Sequence, residues 1–164
     1  MLALLSVTLS HGARILGVFP FPGRSHLMVH KPLMLELARR GHEITMVSGF
    51  PESKPIPNYT DIEVKTTFEI LIGDIVPPNM FDMKTMGTVQ QTVMLWYFGE
   101  ALCDHVLQEE NIQKLIHSRD LHFDLVLVEA FSMECFLGFA HKFNAPIIQI
   151  CPYGGANFMG DWVG

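Results

Sequence analysis

The sequence predicts an α/β fold built on a doubly wound parallel sheet, and three observations carry that reading. Apolar stretches of strand length alternate with amphipathic stretches of helical length. The stretch Leu125–Val128 (LVLV) is wholly apolar, as a central strand covered on both faces must be. Turn signals rich in Pro and Gly, such as Pro20-Phe21-Pro22-Gly23 and the segment through Pro51, Pro55 and Pro57, punctuate the early elements.

Arg14–Phe19 (RILGVF) reads as a buried first strand, followed by a turn-rich loop and a helix from about Leu27 to Arg40. Leu33, Met34, Leu37 and Ala38 recur on one face of that helix, Pro32 is tolerable only in its first turns, and Gly41 supplies the stop. Arg39 and Arg40 then lie at the negative end of the helix dipole. Glu43–Ser48 (EITMVS) is the second strand and Ile62–Thr67 (IEVKTT) the third. Phe68–Met80 reads as loop, broken by Gly73 and Pro77-Pro78. Met83–Ser118 reads as one broken helix or two consecutive ones, with Gly99 as the joint. After the fourth strand, Ser132 is the N-cap candidate of a helix over Met133–Phe143 that turns Phe136, Phe139 and Ala140 to the sheet; Asn144 ends it, and Pro146–Ile150 (PIIQI) is the fifth strand.

A length of 164 residues fits one globular domain. With 49% hydrophobic and 17% charged residues, disorder is excluded. The net charge of −6, without a Lys/Arg block, argues against nucleic acid and anionic membrane surfaces as partners. Residues 1–12 read as a signal peptide: Leu2–Leu9 is an apolar run too short to span a bilayer, and Ser10 and Gly12 stand at signal-peptidase spacing. Asn58-Tyr59-Thr60 matches the glycosylation acceptor pattern, in keeping with secretory entry. Cys103, Cys135 and Cys151 are odd in number and form no CxxC pair, so the expectation is buried thiols, with neither a disulfide framework nor a zinc site.

Right-handed crossovers give the strand order 3-2-1-4-5, with the direction of winding reversing between strands one and four, where ligands of such sheets bind. The loop leaving strand one carries His26 and strand four ends at Glu129, so an imidazole and a carboxylate should converge at that edge. A histidine whose far ring nitrogen is held by a carboxylate can take a proton from a substrate hydroxyl, and the carboxylate stabilises the imidazolium that forms. The bland reading of Glu129 is a strand-end carboxylate capping the following helix. His26 and His30 at i, i+4 have the spacing of a zinc-binding helix, but no Glu follows His26 and no third ligand is evident, so structural spacing explains them better and no metal is expected. Gly23 alone is no phosphate cradle, since GxGxxG and GxxxxGK[ST] are both missing.

Taken together, Phe19-Pro20-Phe21-Pro22-Gly23-Arg24-Ser25-His26, Pro32-Leu33-Met34, Arg40-Gly41-His42-Glu43-Ile44-Thr45, Phe123–Phe131 and Asn144-Ala145-Pro146-Ile147-Ile148 resemble the amino-terminal half of UDP-glycosyltransferases, most closely those of insects. The resemblance implies the Rossmann-like amino-terminal domain of a two-domain GT-B glycosyltransferase, over residues 14–164, which binds a lipophilic acceptor. The half that binds the UDP-sugar would be absent, and this chain alone inactive. His26 aligns with the catalytic base; its usual partner is an aspartate where this sequence has Glu129, so one extra methylene must be accommodated. No cofactor is implied, the UDP-sugar being a cosubstrate. Candidate acceptor contacts are Phe21 and Arg24 in the first loop and Met94, Trp96, Tyr97 and Phe98 in the aromatic-rich middle, although such a stripe at helical spacing is more often core. The resemblance also implies the endoplasmic reticulum lumen, a membrane anchor in the full-length form with no spanning helix in this chain, and a role in detoxification. The rival expectation is a noncatalytic short form that binds lipophiles or forms homo- or hetero-oligomers with full-length members.

Overall fold

The computed structural model describes residues 12–72 and 85–152. The expected signal segment apart from Gly12, residues 73–84 and the glycine-rich stretch 153–164 lie outside them.

Five parallel strands form one sheet in the order β3-β2-β1-β4-β5: β1 (Arg14–Phe19), β2 (Glu43–Ser48), β3 (Tyr59–Glu63), β4 (Leu125–Glu129) and β5 (Ile147–Ile150). The expected order is the observed one. Each residue of β1 faces alternate sides. Leu16 and Val18 join Val126 and Val128 in a core covered by α3 (Thr88–Gln108), α4 (Glu110–His117) and α5 (Gly138–Phe143), through Leu102, Val106, Ile112, Leu115 and Phe139. Ile15 and Phe19 join Ile44, Met46 and Leu127 against Met34 and Ala38 of α1 (Arg24–Arg39) on the other face. Both faces of β1 and β4 are thereby dry, which is what their near-continuous apolar sequences require.

Helix α1 begins three residues earlier than the sequence indicates. Gly23, in extended conformation, is the residue before its first turn, and the Gly23 carbonyl accepts from the His26 and Leu27 amides. Pro32 therefore lies in the helix interior rather than its first turns, and the carbonyl of Met28 loses its usual donor; Met28 is exposed, so water can replace it. The helix ends as anticipated. Gly41 has φ +93°, the His42 amide donates to Leu37 O and the Gly41 amide to Ala38 O, which together make a Schellman stop. Arg39 and Arg40 both bond Glu36, holding its carboxyl down at about 2.

Four further expectations are corrected. Strand β3 starts at Tyr59, not Ile62: Asn58 turns the chain at φ +59° and its carbonyl accepts from the Ile44 amide. By Thr66 the chain has left the ladder, and the Thr66 hydroxyl donates to Pro20 O at 2.8 Å. Phe68–Ile72 is a short helix, α2, rather than loop. Gly99 is no joint. It lies inside α3, where a Cβ would collide with the Ser132 carbonyl, and the break falls at Glu109. Ser132 is no N-cap: it sits at φ +49° before a 3₁₀ turn over Glu134–Leu137 that leads into α5.

The expectation of buried thiols fails: two of the three cysteines are bonded to each other, and Cys151 is only partly buried. Cys103 of α3 and Cys135 of the 3₁₀ turn form a disulfide across a separation of 32 residues. The helix approach that Gly99 permits brings the two together, a proximity that no sequence spacing signals. Among the described residues no helix is long and apolar enough to cross a membrane.

Candidate active site

The register that pairs Val18 with Val128 brings the carboxyl ends of β1 and β4 side by side. Only residues 20–23 separate β1 from α1, so the first turn of α1 must lie over that edge. His26, the third residue of α1 rather than a loop residue, consequently meets Glu129, the last residue of β4, through Nδ1 and Oε1. An ionised carboxylate only accepts, so Nδ1–H is the donor and the opposite nitrogen, Nε2, keeps its lone pair. That is the tautomer a general base needs.

Glu129 is 4% exposed and His26 partly exposed. Burial pushes the Glu129 carboxyl up, but His26 and His30 beside it outweigh burial and hold it below the usual glutamate range. His30, one turn further along α1, is fully buried; its Nε2 stands 3.4 Å from Glu129 Oε2, within ion-pair range but longer than a good hydrogen bond. Its ring stacks on Phe19 at 4.3 Å. The i, i+4 histidines thus converge on one carboxylate. Among the described residues no group of three or more His, Cys, Asp or Glu side chains is arranged to hold a metal ion.

Aromatic rings build the wall around His26. Phe21 stacks on it at 4.0 Å and Phe131 meets it edge-on at 5.1 Å. Phe98 and Phe68 pack on Phe21 at 5.3 and 5.8 Å. Gly23 makes the stack possible, because a Cβ there would lie 2.5 Å from the Phe21 ring.

Of the candidate acceptor contacts, Phe21 and Phe98 belong to this wall. Met94 is buried on the same face of α3 as Phe98, Leu102 and Val106. Trp96 and Tyr97 are on the outer side of α3, 66% and 53% exposed, and touch each other edge-on. Arg24 reaches away over the Phe50 ring at 5.0 Å. Sequence reasoning missed Phe68, Phe131 and the approach of His30. The His26/His30 spacing was the available signal for the last; for Phe131 it was the position two residues beyond the strand-end carboxylate.

No family model matches the chain. It is 33% identical over 157 residues to UDP-glucosyltransferase 2 of Dactylopius coccus, covering 92% of this chain and 29% of that protein. It is 34% identical over 172 residues to the ecdysteroid UDP-glucosyltransferase of Autographa californica nuclear polyhedrosis virus, covering 99% and 33%. The chain therefore spans about a third or less of the length of these relatives. Among solved structures, the calicheamicin glycosyltransferase CalG4 superposes with a TM-score of 0.60 at 20% identity, over 92% of this chain and 36% of that one. Phytolacca americana UGT2, solved with UDP-2-fluoro-glucose and pterostilbene, gives 0.54 at 12% identity, over 85% and 30%. These likenesses carry the fold, an α/β Rossmann-like domain of the GT-B glycosyltransferases. On the strength of the sequence relatives, nearly the whole chain is similar to the amino-terminal part of UDP-glycosyltransferases.

Proposed function

We propose that this chain supplies the acceptor side and the general base of a hexosyl transfer from a UDP-sugar, with glucose or glucuronate as the sugar, to a hydroxyl of a small lipophilic acceptor. His26 Nε2 takes the acceptor's O–H proton as that oxygen bonds the anomeric carbon. The bond from that carbon to UDP breaks on the opposite side, so UDP leaves and the configuration inverts. Glu129 orients the ring and stabilises the imidazolium, as a carboxylate does for a histidine base elsewhere. The observation that carries the reading is the His26–Glu129 contact at the switch point of the sheet. Phe131, half-buried, gives an apolar edge beside the base, backed by the buried rings of Phe21 and Phe98, a setting suited to phenols, alcohols or steroid-like hydroxyls.

The rival reading, a lipophile-binding or partner-pairing form without transfer, draws on the exposed apolar stripe Val89, Val93, Trp96 and Tyr97 along α3. A transfer assay separates the two. The chain joined to the remaining part of the Dactylopius coccus relative should glycosylate a simple phenol from UDP-glucose, whereas lack of transfer with lipophile binding intact favours the rival.

The disulfide supports an oxidising compartment, and with it the endoplasmic reticulum lumen. Asn58, exposed at a turn with its side-chain amide donating weakly to Ala38 O, is the glycosylation candidate there.

A further inference from the structure

A carboxylate has two oxygens, and burial makes both of them matter. Glu129 Oε1 is engaged by His26; Oε2 has no good hydrogen bond among the described residues and faces only the Nε2 of His30. Neither nitrogen of the fully buried His30 ring has a hydrogen-bond partner there either. Two buried, incompletely satisfied polar groups 3.4 Å apart are each other's compensation. Their placement is dictated by α1, where residues four apart share a face, and by the length of glutamate, which reaches between both rings.

We propose that His30 is a positioning residue for Glu129, donating from Nε2 toward the far carboxylate oxygen and thereby turning the near oxygen onto His26 Nδ1. The proposal rests on the reading of His26 as the base. Among the described residues, His26 and His30, both from α1, are the titratable groups that face Glu129. Phe19 fixes the other degree of freedom: its ring lies parallel to His30 within 11°, so the imidazole cannot tilt away from the carboxylate without breaking that stack. A carboxylate held at one oxygen alone is free to rotate about its last bond, whereas one held at both presents a fixed edge to the base.

The test uses the 164-residue chain and needs no sugar transfer, so its failure is separable from that of the transferase reading. Nitrogen-15 spectra of the histidine rings at neutral pH should show His30 Nε2 protonated. His30→Phe keeps the stack on Phe19 and removes the donor; the carboxyl carbon of Glu129, followed by carbon-13 labelling, should then titrate at higher pH than in the parent chain. His30→Gln, which restores an amide donor, should bring the midpoint back toward the parent value. A bare Nε2 on His30 overturns the proposal, as does an unmoved Glu129 midpoint in folded His30→Phe. Should that variant fail to fold, the tautomer of the parent chain decides.

Discussion

Glu129 and His26 meet although 103 residues of chain separate them. The contact follows from the β1–β4 pairing and the four-residue connection into α1, and it places a buried acid behind a partly exposed base. Glu129 stays in register with Ile150 while its carboxylate extends between two histidines.

The stack beneath the base depends on a missing side chain. Gly23→Ala should force the Phe21 ring off His26, because the new Cβ would meet Phe21 Cε1 and Cδ1 at 2.5 and 2.9 Å. The cost is expected to be about 1–3 kcal/mol, typical of overpacking. Proton shifts of the His26 ring should move while the circular dichroism of the fold is kept; unchanged ring shifts would show that Phe21 is not held there by Gly23.

Two helical glycines should respond in opposite directions. Gly99→Ala drives a methyl into the Ser132 backbone carbonyl, which cannot swing away as a side chain could, and should destabilise the fold by about 1–3 kcal/mol. Gly138, at φ −56° with open space around its Cβ position, should gain about 0.5–1 kcal/mol on change to Ala. Urea denaturation midpoints of the two variants check the pair.

The Cys103–Cys135 link closes a loop of about 32 residues, for which chain-entropy arguments give about 3–4 kcal/mol. Cys135→Ser should lower stability by roughly that amount, and reductant should do the same to the parent chain while leaving the variant unaffected. Equal sensitivity of both to reductant would contradict the linkage.

Glu129 also sets a pH dependence. Its carboxyl is held lower in the folded chain than in the unfolded one, so its ionisation stabilises the fold above the ordinary glutamate value of 4.5. That contribution is lost as pH falls through the lowered folded value. The stability advantage of the parent over Glu129→Gln should be full near pH 7 and shrink steadily on acidification below about 4.5, read as urea midpoints across a pH series.

Much of this was legible from residue order. Strands β1 and β2 have the bounds that their apolar patterns indicate, Gly41 stops α1, Asn144 takes the left-handed turn after α5, and the strand order follows from the crossover rule. The errors share a physical origin in contacts distant along the chain. Gly99 looks like a helix breaker until Ser132 lies against it, and Cys103 has no visible partner until that approach is made. Thr66 reads as strand until its hydroxyl finds Pro20 O. At the site, the meeting of His26 and Glu129 follows from topology, whereas the ring of phenylalanines depends on how α2 and α3 pack over the sheet edge, which local pattern does not encode.

The measurement that bears most directly on the central claim is turnover of His26→Ala, made in the chain joined to the remaining part of a relative competent for transfer from UDP-glucose. The expected result is a fall in kcat of at least about 100-fold, the usual worth of a positioned general base, with the acceptor KM nearly unchanged. Turnover equal to that of the parent would show that the imidazole beside Glu129 does not remove the acceptor proton.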